Sequence, residues 1–207
     1  MGRKWFVIAI IVVLALLATG AAAQKNDVAG IIGRTFISDQ GVPSAFLNDQ
    51  NIHFGNQFTY EVSYGRRIAD IGLASLTVEV PFVHDPEVKL NFGQNVVPRS
   101  FSAIYLTPSV RANLIPGAAV SPWISGGGGF ARFGESDTLV FGGANPGSQG
   151  TTVGAVQIGV GLDVRILGAF KLRGQVRDFY TGLPELNINP QKHMHNYFVG
   201  AGLVFSF

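Results

Sequence analysis

The 207-residue sequence has no cysteine, which excludes a disulfide framework and any thiolate metal site. Charge is also scarce: Asp, Glu, Lys and Arg make up only 14% of the chain. After the first 23 residues there is no run of the ~20 apolar residues that a membrane-crossing helix needs. The basic surplus disappears on inspection. Of 15 Lys+Arg, Arg3 and Lys4 belong to the leader, and the remaining 13 equal the 13 Asp+Glu. A neutral mature chain carries no electrostatic footprint for nucleic acid. Gly and aromatics are abundant instead, with 27 Gly and 16 Phe. Low charge with that composition suits a sheet with one face in lipid better than a soluble enzyme.

Residues 1–23 read as a cleavable signal peptide. Arg3 and Lys4 form the charged start, Trp5 to Leu17 the apolar stretch, and Ala21-Ala22-Ala23 a small-residue cleavage site before Gln24. A retained helix is the alternative. The small-residue ending and the lack of a following positive cluster favour cleavage, leaving 24–207 as one domain.

The last twelve residues, Asn196 to Phe207, alternate at period two. Tyr197, Val199, Ala201, Leu203, Phe205 and Phe207 share one face; Phe198, Gly200, Gly202, Val204 and Ser206 share the other. Gln57–Gly65 and Leu73–Val83 alternate as cleanly around a tight turn at Ala69–Gly72 and predict a hairpin. Further strands are predicted over Asp27–Ile37, Phe101–Leu114, Ala119–Phe133, Thr152–Ile166 and Phe170–Tyr180. The long connections Ser38–Gly55, His84–Pro98, Gly134–Gly150 and Thr181–His195 are predicted loops. Eight strands whose connections alternate long and short describe an antiparallel up-and-down transmembrane barrel, with both termini at the short-turn end. A soluble lipocalin-type barrel is the rival, but it would carry its charges outside, and here the uniformly apolar face is the outer one.

A closing strand that ends on phenylalanine resembles the C-terminal signature of bacterial outer-membrane β-barrel proteins. The whole mature chain is similar to the small eight-stranded members of OmpA transmembrane-domain, OmpX and opacity type. The resemblance implies an integral outer-membrane location in contact with lipid and lipopolysaccharide. It also implies that Tyr197, Val199, Leu203, Phe205 and Phe207 are the signal read by the barrel-insertion machinery. Against the OmpA type, nothing follows Phe207 in the sequence, so a peptidoglycan-binding domain is not expected. Roles in such families range over adhesion, host-factor binding, membrane integrity and weak pore activity.

With the apolar face outside, the lumen should receive Glu61, Glu79, Arg111, Asp163, Arg165, Lys171, Arg173 and Arg177. An eight-stranded barrel is only wide enough for side chains to fill, so these charges must pair. The expected pattern joins Glu61 and Glu79 to Arg111 and to Arg173 or Arg177. The basic surplus in this set would make a gated ion path, the sharper alternative, mildly anion-preferring.

The Gly126–Gly129 run lacks the following Lys-Ser/Thr of a phosphate cradle and is read as a bend or a close approach. His193 and His195 sit two apart, yet no carboxylate or third His adjoins them in sequence, so no metal site and no cofactor are expected. Lipid-modifying enzymes exist among small outer-membrane barrels. The deacylase type resembles a serine hydrolase with a His-x-Ser pair on one strand; His193-Met194-His195 has no Ser at that spacing, so the chain reads as non-catalytic. The long loops are acidic: Asp39, Asp49, Asp85, Glu87, Glu135, Asp137 and Glu185 stand against Lys89, Arg99 and Lys192. Phe46, Phe92, Phe141 and Leu183 in those loops are candidate contacts for an external partner or for loop packing. The expected function is a structural or surface-recognition barrel, with a narrow gated channel second and a lipid-modifying enzyme third.

Overall fold

The computed structural model describes residues 25–42, 51–188 and 193–207. The signal peptide, Phe46, Asp49 and Lys192 lie outside these. Eleven strands occur among the described residues: β1 (Asn26–Ile37), β2 (Gln40–Gly41), β3 (Asn51–Phe54), β4 (Phe58–Ile71), β5 (Ala74–Asn91), β6 (Ser100–Leu106), β7 (Ser109–Leu114), β8 (Val120–Glu135), β9 (Thr151–Leu167), β10 (Phe170–Thr181) and β11 (Met194–Ser206).

Every pairing is antiparallel, and the pairing closes on itself. β1 is bonded to β4 and to β11, and β4 to β5. β5 meets both β6 and β7, which together form one stave against β8. β8 to β9, β9 to β10 and β10 to β11 complete a ring of eight staves. At the seam, Asn26 and Phe207 exchange two backbone hydrogen bonds of 2.9 Å. Closure leaves no unpaired edge in this ring of staves, the condition for a β-structure in hydrocarbon.

Two of the short turns are set by left-handed glycines, Gly72 (φ 63°) and Gly168 (φ 52°). The first turn is tighter than the sequence suggests, since β4 continues through the expected Ala69–Gly72 turn to Ile71. The predicted continuous strand Phe101–Leu114 is broken at Thr107-Pro108, where proline has no N–H to donate. There the chain opposite comes close. A Cβ on Gly129 would lie 2.0 Å from the Leu106 carbonyl oxygen, and one on Gly127 2.2 Å from that of Pro108. The glycine run thus seats β8 against the interrupted stave.

The barrel wall carries the predicted faces. Phe58, Tyr60, Val62, Val80, Phe82, Ile158, Leu162, Val199 and Leu203 are all exposed on the outside. On β5 the outward apolar series ends at Phe82, and beyond it the strand runs on to Asn91 through what the sequence suggests is loop. In this extension Val88 and Leu90 point inward and are buried while Glu87 and Lys89 point out. The facing rule has inverted because the strand has left lipid for water. The small strands β2 and β3 extend the same outer collar through β3–β5 pairing.

The interior is divided by height. The half nearer the short turns is filled by charged and polar groups. The half nearer the long connections is an apolar core that includes Ile52, Val83, Phe101, Tyr105, Phe133, Phe179 and Phe198. Tyr105 stacks on Phe179 at 4.6 Å and meets Phe133 edge-on at 6.3 Å.

Candidate functional site

Six of the eight predicted lumen residues converge in one network. Arg111 Nη1 donates to Glu79 Oε2 at 3.0 Å, and its Nη2 donates to Asp27 Oδ2 at 2.6 Å. Arg177 Nη1 donates to the other oxygen of Glu79 at 2.9 Å. Its Nε lies 3.1 Å from Glu61 Oε2, an ion-pair distance without hydrogen-bond alignment. Gln175 also donates to Glu61. Arg173 grips Asp163 through two bonds of 2.7 and 2.8 Å, the bidentate geometry that planar guanidinium favours. All of these residues except the partly buried Asp27 are buried. Of the arginines expected to answer Glu61 and Glu79, Arg111 meets Glu79, and Arg177 meets both acids.

Two members behave differently. Lys171 is half-buried at the short-turn mouth, with its amine 3.7 Å from Asp27. Arg165 corrects the sequence reading: although on the inward face, it is exposed rather than enclosed in the lumen. It sits near the end of β9, where a long side chain can carry its charge out to water. Asp27 replaces it in the network, held also by Ser206 Oγ at 2.8 Å. Facing on the first strand is blurred by Gly30 and Gly33. Pairing of Asp27 with Ser206 on β11, an inward position, is what reveals it. The ionic network of the short-turn half thus becomes Arg111, Lys171, Arg173 and Arg177 against Asp27, Glu61, Glu79 and Asp163. The basic surplus is gone.

Trp123 is the organising side chain that the sequence reading missed. It is 1% exposed and has the guanidinium carbons of Arg111, Arg173 and Arg177 at 5.8, 5.2 and 5.3 Å from its ring. Its indole N–H donates to Asp163 at 3.1 Å. Three mutually repelling cations are thereby held around one aromatic ring. The available signal was register: Trp123 lies two residues before Ser125 and four before Gly127 on the inward side of β8.

Above this network, and beyond the outward apolar series of β5, lies Asp85, fully buried and with no cation beside it. Neither carboxylate oxygen meets a hydrogen bond of good geometry. Burial pushes its carboxyl up to about 7; the nearby hydroxyls of Thr59 and Thr35 and the Glu87 amide offset only part of that. Glu135 is buried as well and accepts from the Glu185 amide at 3.0 Å. Two of the acids assigned to an outer acidic surface are therefore internal. Exposed Glu87, Asp137 and Glu185 remain, and Asp39 is joined to His53 at 2.8 Å.

The long connections are knitted together. Asn95, in the second, accepts from the Phe141 amide at 2.8 Å and donates to the Gly142 carbonyl at 2.9 Å in the third. Asn187, in the fourth, donates to Val96 O at 3.1 Å and to Asn145 Oδ1 at 2.7 Å. Phe92 packs inside, Leu183 is half-buried, and Phe141 stands 68% exposed at the rim. No cluster of three metal-ligating side chains occurs among the described residues.

No family model and no curated protein matches the sequence. Solved structures match in shape. Neisserial surface protein A aligns with a TM-score of 0.56 at 15% identity, over 88% of this chain and 97% of that one. OprG from Pseudomonas aeruginosa gives 0.54 at 11% identity, over 91% and 98%. AlkL, an outer membrane protein solved in lipid bilayers, gives 0.51 at 14%, over 91% and 93%. The fold is that of the small eight-stranded outer-membrane β-barrels. Its apolar exterior and ion-paired interior are those of a barrel that spans a membrane.

Proposed function

We propose that this protein is a non-catalytic integral barrel of the bacterial outer membrane, serving recognition at the cell surface or supporting the envelope. The observation that carries the reading is the outer platform, in which three long connections are held by side chain-to-backbone bonds and Phe141 is held up to solvent. A preorganised surface with an exposed aromatic anchor suits partner binding, because little ordering is left to oppose association. The filled interior supports this reading over conduction: the arginines are locked on Trp123 and an apolar aromatic core lies above them. In this reading Tyr197, Val199, Leu203, Phe205 and Phe207 form the insertion signal, and lipid and lipopolysaccharide surround the wall.

The test is adhesion of cells expressing the barrel to host-cell layers or matrix proteins. Phe141→Ser should lower adhesion several-fold while the folded barrel is kept. Unchanged adhesion, together with single-channel conductance abolished by Glu79→Gln, would replace this reading with the channel.

A further inference from the structure

The outward face of β10 contains one ionisable residue in an otherwise apolar series. Val176 and Tyr180 flank Asp178, and its cross-strand neighbours are Ile158 on β9 and Tyr197 on β11. A carboxylate facing lipid is costly unless it has a partner. Asp178 Oδ2 lies 2.8 Å from His195 Nδ1, but its Oδ1 is buried and has no hydrogen-bond partner. The histidine is pinned from both sides: its ring stacks on Tyr197 at 5.7 Å with 7° between planes, and it meets Tyr180 at 4.9 Å. Tyr180 also touches His193 at 5.0 Å. With Nδ1 committed to Asp178, His195 has Nε2 available to a ligand.

This cluster sits where the apolar wall gives way to the long connections, so it faces the boundary between acyl chains and headgroups. Flat rings in a row and an imidazole whose Nδ1 is held by a carboxylate, leaving Nε2 free, fit a hydroxyl-rich ring. They do not fit a phosphate, which the carboxylate would repel. We infer that Asp178, Tyr180, His195 and Tyr197 form a binding site for the sugar headgroup of a glycolipid in the outer leaflet. The inference rests on the membrane-spanning reading, which heat-dependent gel mobility tests separately.

The experiment uses the full barrel refolded in phosphocholine-headed bicelles with 13C-labelled His and Tyr rings, titrated with dodecyl maltoside. His195, Tyr180 and Tyr197 should shift saturably, while Tyr60 and Tyr64 on β4 should not. Asp178→Asn should weaken the response about tenfold, as expected when the charge-assisted bond that orients His195 is lost. His195→Gln serves as the second variant if Asp178→Asn does not refold. Equal shifts at Tyr60, an unchanged response in either refolded variant, or a stronger response to dodecyl phosphate would each overturn the sugar site.

Discussion

Glu79 holds two guanidinium groups at once, and removing it leaves Arg111 and Arg177 each short of a partner inside a closed wall. Breaking a buried pair costs about 3–5 kcal/mol, whereas a change at an exposed charge usually stays within about 0.5 kcal/mol. Glu79→Ala should therefore shift the urea midpoint of the refolded barrel strongly, and Arg165→Gln should leave it nearly unchanged. Equal effects would mean that the lumen is hydrated and the network weak. Asp85 gives a pH test. Its folded carboxyl is raised from the ordinary carboxylate range to about 7, so the folded state holds its proton more tightly than the unfolded chain. That contribution to stability is complete below the unfolded value and is lost as pH rises through about 7. The barrel should be measurably less stable to urea at pH 8 than at pH 5, and Asp85→Asn should flatten this part of the profile.

The staves show one alternation rule applied against two solvents. In β5 the residues from Ala74 to Phe82 put apolar groups outside, and those from Glu87 to Leu90 put them inside. Read by eye, the change of sign looks like the end of a strand, and for that reason the extension was legible only as loop. The break at Pro108 is of another kind. It depends on the backbone of β8 closing in through Gly127 and Gly129. Gly127→Ala should cost about 1–3 kcal/mol, as overpacking does, because its Cβ would meet Pro108 O and the backbone of Ser109. Gly128→Ala, whose Cβ would find an ordinary contact at 3.5 Å, should be tolerated. Urea titration of both variants decides whether the run is a packing device or merely a flexible segment.

The closed ring predicts a simple behaviour for the intact protein. Unboiled samples should migrate faster on SDS gels than boiled ones, and the protein should fractionate with the outer membrane. Soluble recovery without a shift would contradict a membrane barrel. Phe207→Ser should lower the amount assembled in cells more than it lowers the stability of protein refolded in vitro, if the last strand acts as an insertion signal.

Composition and alternation were enough to settle the barrel, its count of staves, the lipid-facing side and most members of the ionic lumen. These are local properties: a period of two names a face, and a face rich in Val, Ile and Phe names its solvent. Charge partners are not local. Asp27 and Trp123 enter the network through register across the β1–β11 seam and the β8–β9 pair, separated by 179 residues from Ser206 and 40 from Asp163 respectively. The same holds for Asp178 and His195, 17 residues apart in sequence and brought to one outer patch by the β10–β11 pairing. Closure of the ring chose those neighbours, because pairing register is decided by the sum of all eight staves and not by any one of them.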